Sequence, residues 1–275
     1  MNIQWYPGHM TKALRRMKED MKLIDLVIEI LDARVPVSSR NPDIDELAQN
    51  KSRIVILNKA DLADPEATSE WNEYFTANGM ICIPLNARVN HNTDKIRKSC
   101  MEACAEKIER DRKRGIKNRP IRVMVAGIPN VGKSTFINSF AGRASTKTGN
   151  KPGVTKGNQW IRIDKQIELL DTPGILWPKF EDPVVGRNLA LIGSINDEVL
   201  SIQELCEYLI EYINKHYPDA LNTRYEGNDF EAVAKRLGCI GKGGEYDYTR
   251  VYKGFLDDFR SGKLGRINLE VTDHE

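Results

Sequence analysis

Nine residues, Gly127-Ile-Pro-Asn-Val-Gly-Lys-Ser-Thr135, limit what this chain can fold into more than any others. They fit G-x-x-x-x-G-K-[ST], a loop whose backbone N–H groups cradle phosphates. In that pattern Asn130, Val131, Gly132, Lys133, Ser134 and Thr135 surround the phosphates. Lys133 serves as the catalytic cation on the β/γ-phosphates, and the Ser134 hydroxyl ligates Mg²⁺. Such a loop needs a strand before it and a helix after it. Residues 121–126 are a short β-branched run, and residues 134–140 open a helix whose N-terminal dipole favours an anion. The position is unusual, because 126 residues come before Gly127.

Those earlier residues alternate strand and helix. Met10, Leu14, Met17 and Met21 recur at helical spacing, with basic residues on the other face. Nearly continuous apolar runs at 25–31, 53–57 and 80–85 read as strands buried in a parallel sheet. Helices are expected at 43–49, with Asn41 as N-cap and Pro42 in first position, at 65–78 and at 93–112. After the phosphate-loop helix come a long polar loop at 143–157 and a hairpin-like pair at 159–163 and 166–170. The pattern is a doubly wound α/β domain, in which ligands sit at the carboxyl ends of the strands.

The strand ends carry the remaining motifs. Asn58-Lys-Ala-Asp61 fits [NT]-K-x-D. The Asp61 carboxylate can accept from the N1–H and the exocyclic amine of guanine together, a donor pair that adenine lacks. Asn58 can tie this loop to the phosphate loop, the Lys59 stem can cover the base, and Ala60 completes the turn. Asn86-Ala87 suits a backbone contact to the guanine oxygen, although Ser-Ala is the commoner pair there. Asp171-Thr-Pro-Gly174 fits D-x-x-G, with Asp171 holding Mg²⁺ through water and the Gly174 N–H on the γ-phosphate. Thr155, in the polar loop, is the expected second Mg²⁺ hydroxyl. The set implies GTP/GDP with Mg²⁺. Guanine-reading motifs come first and phosphate motifs second, so the chain is a circularly permuted Ras-like P-loop GTPase domain.

This domain is expected over residues 1–178, with a smaller α-helical domain over 179–275. Apolar spacing places helices at 204–213, 230–237 and 246–259, and 236–245 reads equally as a polar RNA-facing loop or a plain helix connection. Composition, with 40% hydrophobic and 29% charged residues, is that of a globular chain without membrane-spanning runs. A net charge of +2 is too mild to argue for nucleic-acid binding, although 107–119 and 12–18 are locally basic and read equally as solvated faces or linkers and as contacts to a phosphate backbone. Residues 1–9 lack a signal-peptide pattern, and the five cysteines contain no C-x-x-C pair. Reduced, buried thiols in the cytoplasm are the expectation, rather than zinc ligands.

With these motifs in view, the chain resembles the ribosome biogenesis GTPase A family, the YlqF-type circularly permuted GTPases. Trp5-Tyr-Pro-Gly-His-Met10, Asp32-Ala-Arg34, Ser39-Arg-Asn-Pro42 and Pro152-Gly-Val-Thr155 join the motifs above in carrying the likeness. It is dense from residue 5 to about 178. The resemblance implies a GTP-hydrolysing factor for late assembly of the bacterial large ribosomal subunit. Its partners would be the subunit precursor, rRNA and ribosomal proteins, with no membrane or DNA partner and a monomeric chain. The C-terminal helices would contact rRNA, and hydrolysis would release the factor.

Where Ras-like enzymes place a water-orienting Gln after D-x-x-G, this chain has Ile175. Hydrolysis is therefore expected to be slow alone and faster with a partner. His9, in a loop made stiff by Pro7 and free by Gly8, is the candidate catalytic group within the chain. Related GTPases with an Asn at the Asn130 position bind K⁺ beside the phosphates, so Asn130 is also a candidate K⁺ residue. Two other classes stay open: a P-loop small-molecule kinase, and a nucleotide-gated RNA-binding module with negligible turnover.

Overall fold

The structure is a computed structural model that describes residues 6–89, 93–116, 119–142, 158–241 and 243–272. Thr155 and the rest of its loop therefore lie outside the described residues, as does Trp5.

Six strands pair into one sheet: β1 (Leu26–Asp32), β2 (Ser52–Asn58), β3 (Ile81–Leu85), β4 (Ile121–Ala126), β5 (Gln159–Arg162) and β6 (Ile167–Asp171). Their spatial order is β3-β2-β1-β4-β6-β5, parallel throughout except for β5 against β6. Counted from the phosphate-loop strand β4, the same order reads 2-3-1-4-5-6 in reverse, a doubly wound sheet whose chain simply starts elsewhere. The switch point falls between β1 and β4. Register decides what happens there. Asp32 pairs with Asn58 and Asn58 with Leu85, so three strand ends are level. Ala126 instead lies opposite Glu29, so β4 stops short of β1 and the phosphate loop turns in beside Ile30.

The helices are α1 (Gly8–Asp20), α2 (Pro42–Leu47), α3 (Pro65–Ala77), α4 (Thr93–Ala103), α5 (Ala105–Lys113), α6 (Lys133–Ala141), α7 (Pro183–Leu191), α8 (Ile202–His216), α9 (Pro218–Tyr225), α10 (Phe230–Leu237) and α11 (Tyr248–Ser261). Helices α7 and α9 have no counterpart among the helices expected from apolar spacing, and two other helices differ from expectation. The 93–112 helix is broken at Cys104, where Ser52 Oγ donates to Ala103 O at 2.6 Å and draws that carbonyl out of the ladder. His9 lies in the first turn of α1 rather than in a loop, because Pro7 at φ −61° already has a helix-compatible torsion and Met10 N–H bonds Pro7 O. Asn41 does cap α2, accepting from Asp43 N–H at 2.9 Å.

One face of the sheet packs Leu31, Val55 and Leu57 against Trp71 and Phe75 of α3. The other face starts a larger core, from Ile28, Ile30 and Ile56 through Phe136 to Leu189, Leu209 and Phe255. The C-terminal helices thus share a continuous apolar core with the sheet. Arg260 strengthens the join, donating to the carbonyls of Leu191 and Ala190 at the end of α7 and pairing with Asp197 at 2.7 Å. The tail after α11 then runs back to the first half of the chain, where Leu269 N–H meets Arg34 O at 2.9 Å. Arg236 and Leu237 end α10, and between α10 and α11 Ile240 and Tyr246 form an antiparallel bridge, with Lys242 outside the described residues. Among the described residues no helix is long and apolar enough to cross a membrane.

Candidate nucleotide site

The phosphate loop is shaped by three left-handed backbones: Gly127 at φ 149°, Asn130 at 59° and Gly132 at 99°. A Cβ at Gly127 would stand 2.5 Å from Ile30 O, and one at Gly132 would stand 2.3 Å from Asn58 Nδ2, so both positions exclude any larger residue. Asn130 tolerates its left-handed backbone as few other side chains do. The loop delivers the chain into α6, whose first N–H groups have no intrahelical acceptor and form an anion site. Ser134 and Thr135 sit in that first turn.

Lys133 is the first residue of α6 and is buried, its Nζ donating to Gly127 O at 3.1 Å and Ile128 O at 2.9 Å. Asp171 ends β6 with 1% of its surface exposed, and among the described residues its Oδ1 has no hydrogen-bond partner. Burial pushes the Asp171 carboxyl up and the Lys133 ammonium down, and attraction between the two opposes both shifts. An unpartnered buried carboxylate oxygen is costly unless a cation meets it. Asp171 therefore fits a cation site such as Mg²⁺ would occupy. Gly174 presses on this centre, since a Cβ there would stand 2.8 Å from Lys133 Nζ and 2.8 Å from Pro129 N.

On the base side, Asn58 is 2% exposed and bonds in two directions. Its Nδ2 donates to Val131 O at 2.8 Å and its Oδ1 accepts from Ala87 N–H at 3.0 Å. One carboxamide thus connects the 58–61 loop, the phosphate loop and the loop carrying Ala87. Lys59 adopts φ 59°, a strained backbone that its Nζ bond to Asp32 Oδ2 at 2.8 Å helps to hold. Asp32 also receives Arg34 Nε and Nη2, each at 2.9 Å. Burial alone would raise the Asp32 carboxyl, but Arg34 and Lys59 outweigh it and hold the group well below the usual carboxylate range. Ala60 N–H bonds Leu85 O at 3.1 Å. Asp61 is half-buried in this turn, and among the described residues its carboxylate accepts no hydrogen bond. Asn86 Oδ1 accepts from Arg88 N–H at 2.9 Å, which shapes the loop carrying Ala87.

Sequence reasoning missed how the remaining chain braces these loops. Asn41 Nδ2 donates to Ile175 O at 3.1 Å, and the Ile175 side chain is buried in the core, away from any solvent role. Asn130 Nδ2 donates to Gly193 O at 2.6 Å and Ser194 Oγ to Pro129 O at 2.8 Å, so the phosphate loop is bonded directly to the end of α7. Asn268 and Glu270 of the tail bond Ala33, Asp64, Val37 and Ser38. His9 is exposed on α1, and no described contact links it to the phosphate loop. Only Asn41 had a local signal, as an N-cap before Pro42.

Comparison with known proteins agrees with this arrangement. A family described as 50S ribosome-binding GTPase matches residues 122–233. A ribosome biogenesis GTPase A of Bacillus cereus is 46% identical, with 99% of this chain and 95% of the relative covered. That of Priestia megaterium is also 46% identical, with 98% and 97% covered. Among solved structures, YlqF from T. maritima with GNP bound is 28% identical, covers 94% of this chain and 98% of its own, and gives a TM-score of 0.67. A GDP-bound YlqF, 28% identical over 94% of this chain and 100% of its own, gives 0.69. With relatives 46% identical over nearly the whole of both chains, and with the phosphate and base loops brought to one end of its sheet, this chain belongs to the ribosome biogenesis GTPase A family.

Proposed function

We propose that this chain binds GTP across the β1/β4 switch point, hydrolyses it to GDP and phosphate, and acts in maturation of the large ribosomal subunit. The observation that carries the reading is the Asn58 side chain, which bonds the loop holding Asp61 to the phosphate loop at Val131. Base and phosphate recognition then belong to one ligand. Asp61 accepts the two guanine donors, the Lys59 stem covers the base, and the Ala87 backbone meets the guanine oxygen. Lys133, Gly132, Val131 and the first turn of α6 hold the phosphates, and the Gly174 N–H senses the γ-phosphate. Asp171 and Ser134 would hold Mg²⁺, with Thr155 of the polar loop as the further hydroxyl, and the metal would supply neutralisation of charge developing on the phosphates.

The chain supplies no water-orienting amide after Gly174, since Ile175 is buried and its carbonyl is bonded to Asn41. Turnover is therefore slow alone and rises on the pre-ribosomal particle, where His9 is the chain's own candidate for the water and Asn130 for a K⁺ ion. Residues 179–275 form the rRNA-facing part of a cytoplasmic, monomeric factor. Product analysis tests the chemistry. GTP should yield GDP and free phosphate and ATP should yield neither; a phosphorylated small molecule would make the protein a kinase instead.

A further inference from the structure

The loop that carries Asp61 is held from two sides. On the sheet side, Lys59 Nζ bonds Asp32 and Ala60 N–H bonds Leu85 O at 3.1 Å. Past Asp61, the bonds come from the far end of the chain. Ile267 N–H donates to Leu62 O at 3.1 Å, and Asn268 Oδ1 accepts from Asp64 N–H at 2.8 Å. Leu62 also packs on Gly262, where a Cβ would stand 2.6 Å from its Cδ2.

Asn268 is the centre of this brace. It is 0% exposed, and its polar groups are all engaged. Nδ2 donates to Ala33 O at 3.1 Å, and Ala33 N–H in turn bonds Asn58 O at 2.8 Å. Its backbone N–H reaches Tyr217 Oη at 3.0 Å, and its carbonyl accepts from Tyr212 Oη at 3.0 Å. Burial raises both phenols, so both stay protonated, and Tyr217 Oη, which accepts from the Asn268 N–H, also donates to Asn268 O at 3.4 Å. One carboxamide therefore fixes the spacing between the end of β1 and the segment that follows Asp61, and the helical part of the chain fixes the carboxamide. Glu270 anchors the same tail, its buried carboxylate accepting from Val37 N–H at 2.7 Å and Ser38 N–H at 2.9 Å.

We infer that Asn268 is a positioning residue for base specificity: it sets the place of the Asp61 carboxylate, so that guanine is read through two hydrogen bonds rather than one. This rests on the reading of Asp61 as the guanine acceptor. Hypoxanthine shares the N1–H of guanine and lacks the amine, so the GDP-to-IDP affinity ratio measures the second bond alone. A role in folding only would weaken both nucleotides by the same factor and leave the ratio unchanged.

The test is competition of GDP, IDP and XDP against a fluorescent GDP on the full chain, with thermal melts in parallel. Asn268→Ala should cut the GDP-to-IDP ratio about tenfold, the worth of one hydrogen bond to a charged acceptor. Tyr217→Phe, which deletes only the hydroxyl beside the Asn268 backbone, should lower the ratio by about threefold with the fold intact, and decides the matter if Asn268→Ala does not fold. An unchanged ratio in the folded variants overturns the inference. Asp61→Asn is the control and should exchange GDP for XDP preference. If it does, yet the Asn268 and Tyr217 variants keep the wild-type ratio, positioning alone fails; if it leaves GDP preferred, the guanine reading itself fails.

Discussion

Gly174 lies against Lys133 so closely that a single added methyl would stand 2.8 Å from the lysine Nζ. Lys133 and the glycine that follows the Asp171 strand end thus lie side by side although 41 residues apart in sequence. Gly174→Ala would drive Cβ into Pro129 as well, where the backbone cannot yield. GDP binding is expected to weaken by less than about tenfold while GTP turnover falls by about a hundredfold or more. Equilibrium binding and single-turnover phosphate release measure the two effects separately.

Asn58→Ala should cost both stability and nucleotide affinity. It leaves Val131 O and Ala87 N–H without the partners they have at 2.8 and 3.0 Å. An expected loss of about 1–3 kcal/mol should appear in chemical denaturation, with GDP affinity down by about tenfold or more. Loss of stability without loss of affinity would mean that the two loops do not serve one ligand.

Asp171 gives the pH dependence. Burial raises its folded carboxyl from 3.8 to about 6, so in the folded chain its ionised form is the disfavoured one. The sign follows. Above the folded value the carboxylate is present to meet Mg²⁺; below it a proton competes with the metal. The apparent affinity for Mg·GDP should fall as pH drops from 7 to 5, by about tenfold per unit once below about 6. Without metal, the buried ionised carboxyl destabilises the fold progressively as pH rises from about 4 to about 6. Asp171→Asn should bind Mg·GDP weakly at every pH, and calorimetric titration across the range distinguishes the two.

Two candidate catalytic aids are tested by rate alone. His9→Ala should lower turnover stimulated by large-subunit particles and spare the unstimulated rate, because the exposed His9 makes no described contact with the phosphate loop. Turnover in KCl should exceed that in NaCl at equal ionic strength if Asn130 helps to seat K⁺. Equal rates would leave the Asn130 side chain as a strut to Gly193.

The parallel sheet was legible because its first strands are β-branched apolar runs closed by polar motifs, as β1 is by Asp32 and β2 by Asn58. The same runs placed the phosphate and base loops at one end, and the Asn58 link followed from the motif itself. Long-range struts left no such trace. Asn268 meets Asp64 and Ala33 across separations of 204 and 235 residues, and nothing local in Arg-Ile-Asn-Leu-Glu270 marks it as buried. The break at Cys104 was hidden for a similar reason, since Ser52 on β2 supplies the hydroxyl that takes the Ala103 carbonyl. His9 was misplaced because Pro7-Gly8 reads as a turn, whereas here Pro7 caps a helix.

The central claim is that nucleotide state controls an encounter with the large ribosomal subunit. Co-sedimentation of the full chain with immature large-subunit particles, under GTP, GDP and a non-hydrolysable GTP analogue, tests it most directly. Retention should be strongest with the analogue, weak with GDP, and intermediate and declining with time under GTP. Equal retention in all three states, or none in any, would contradict the account.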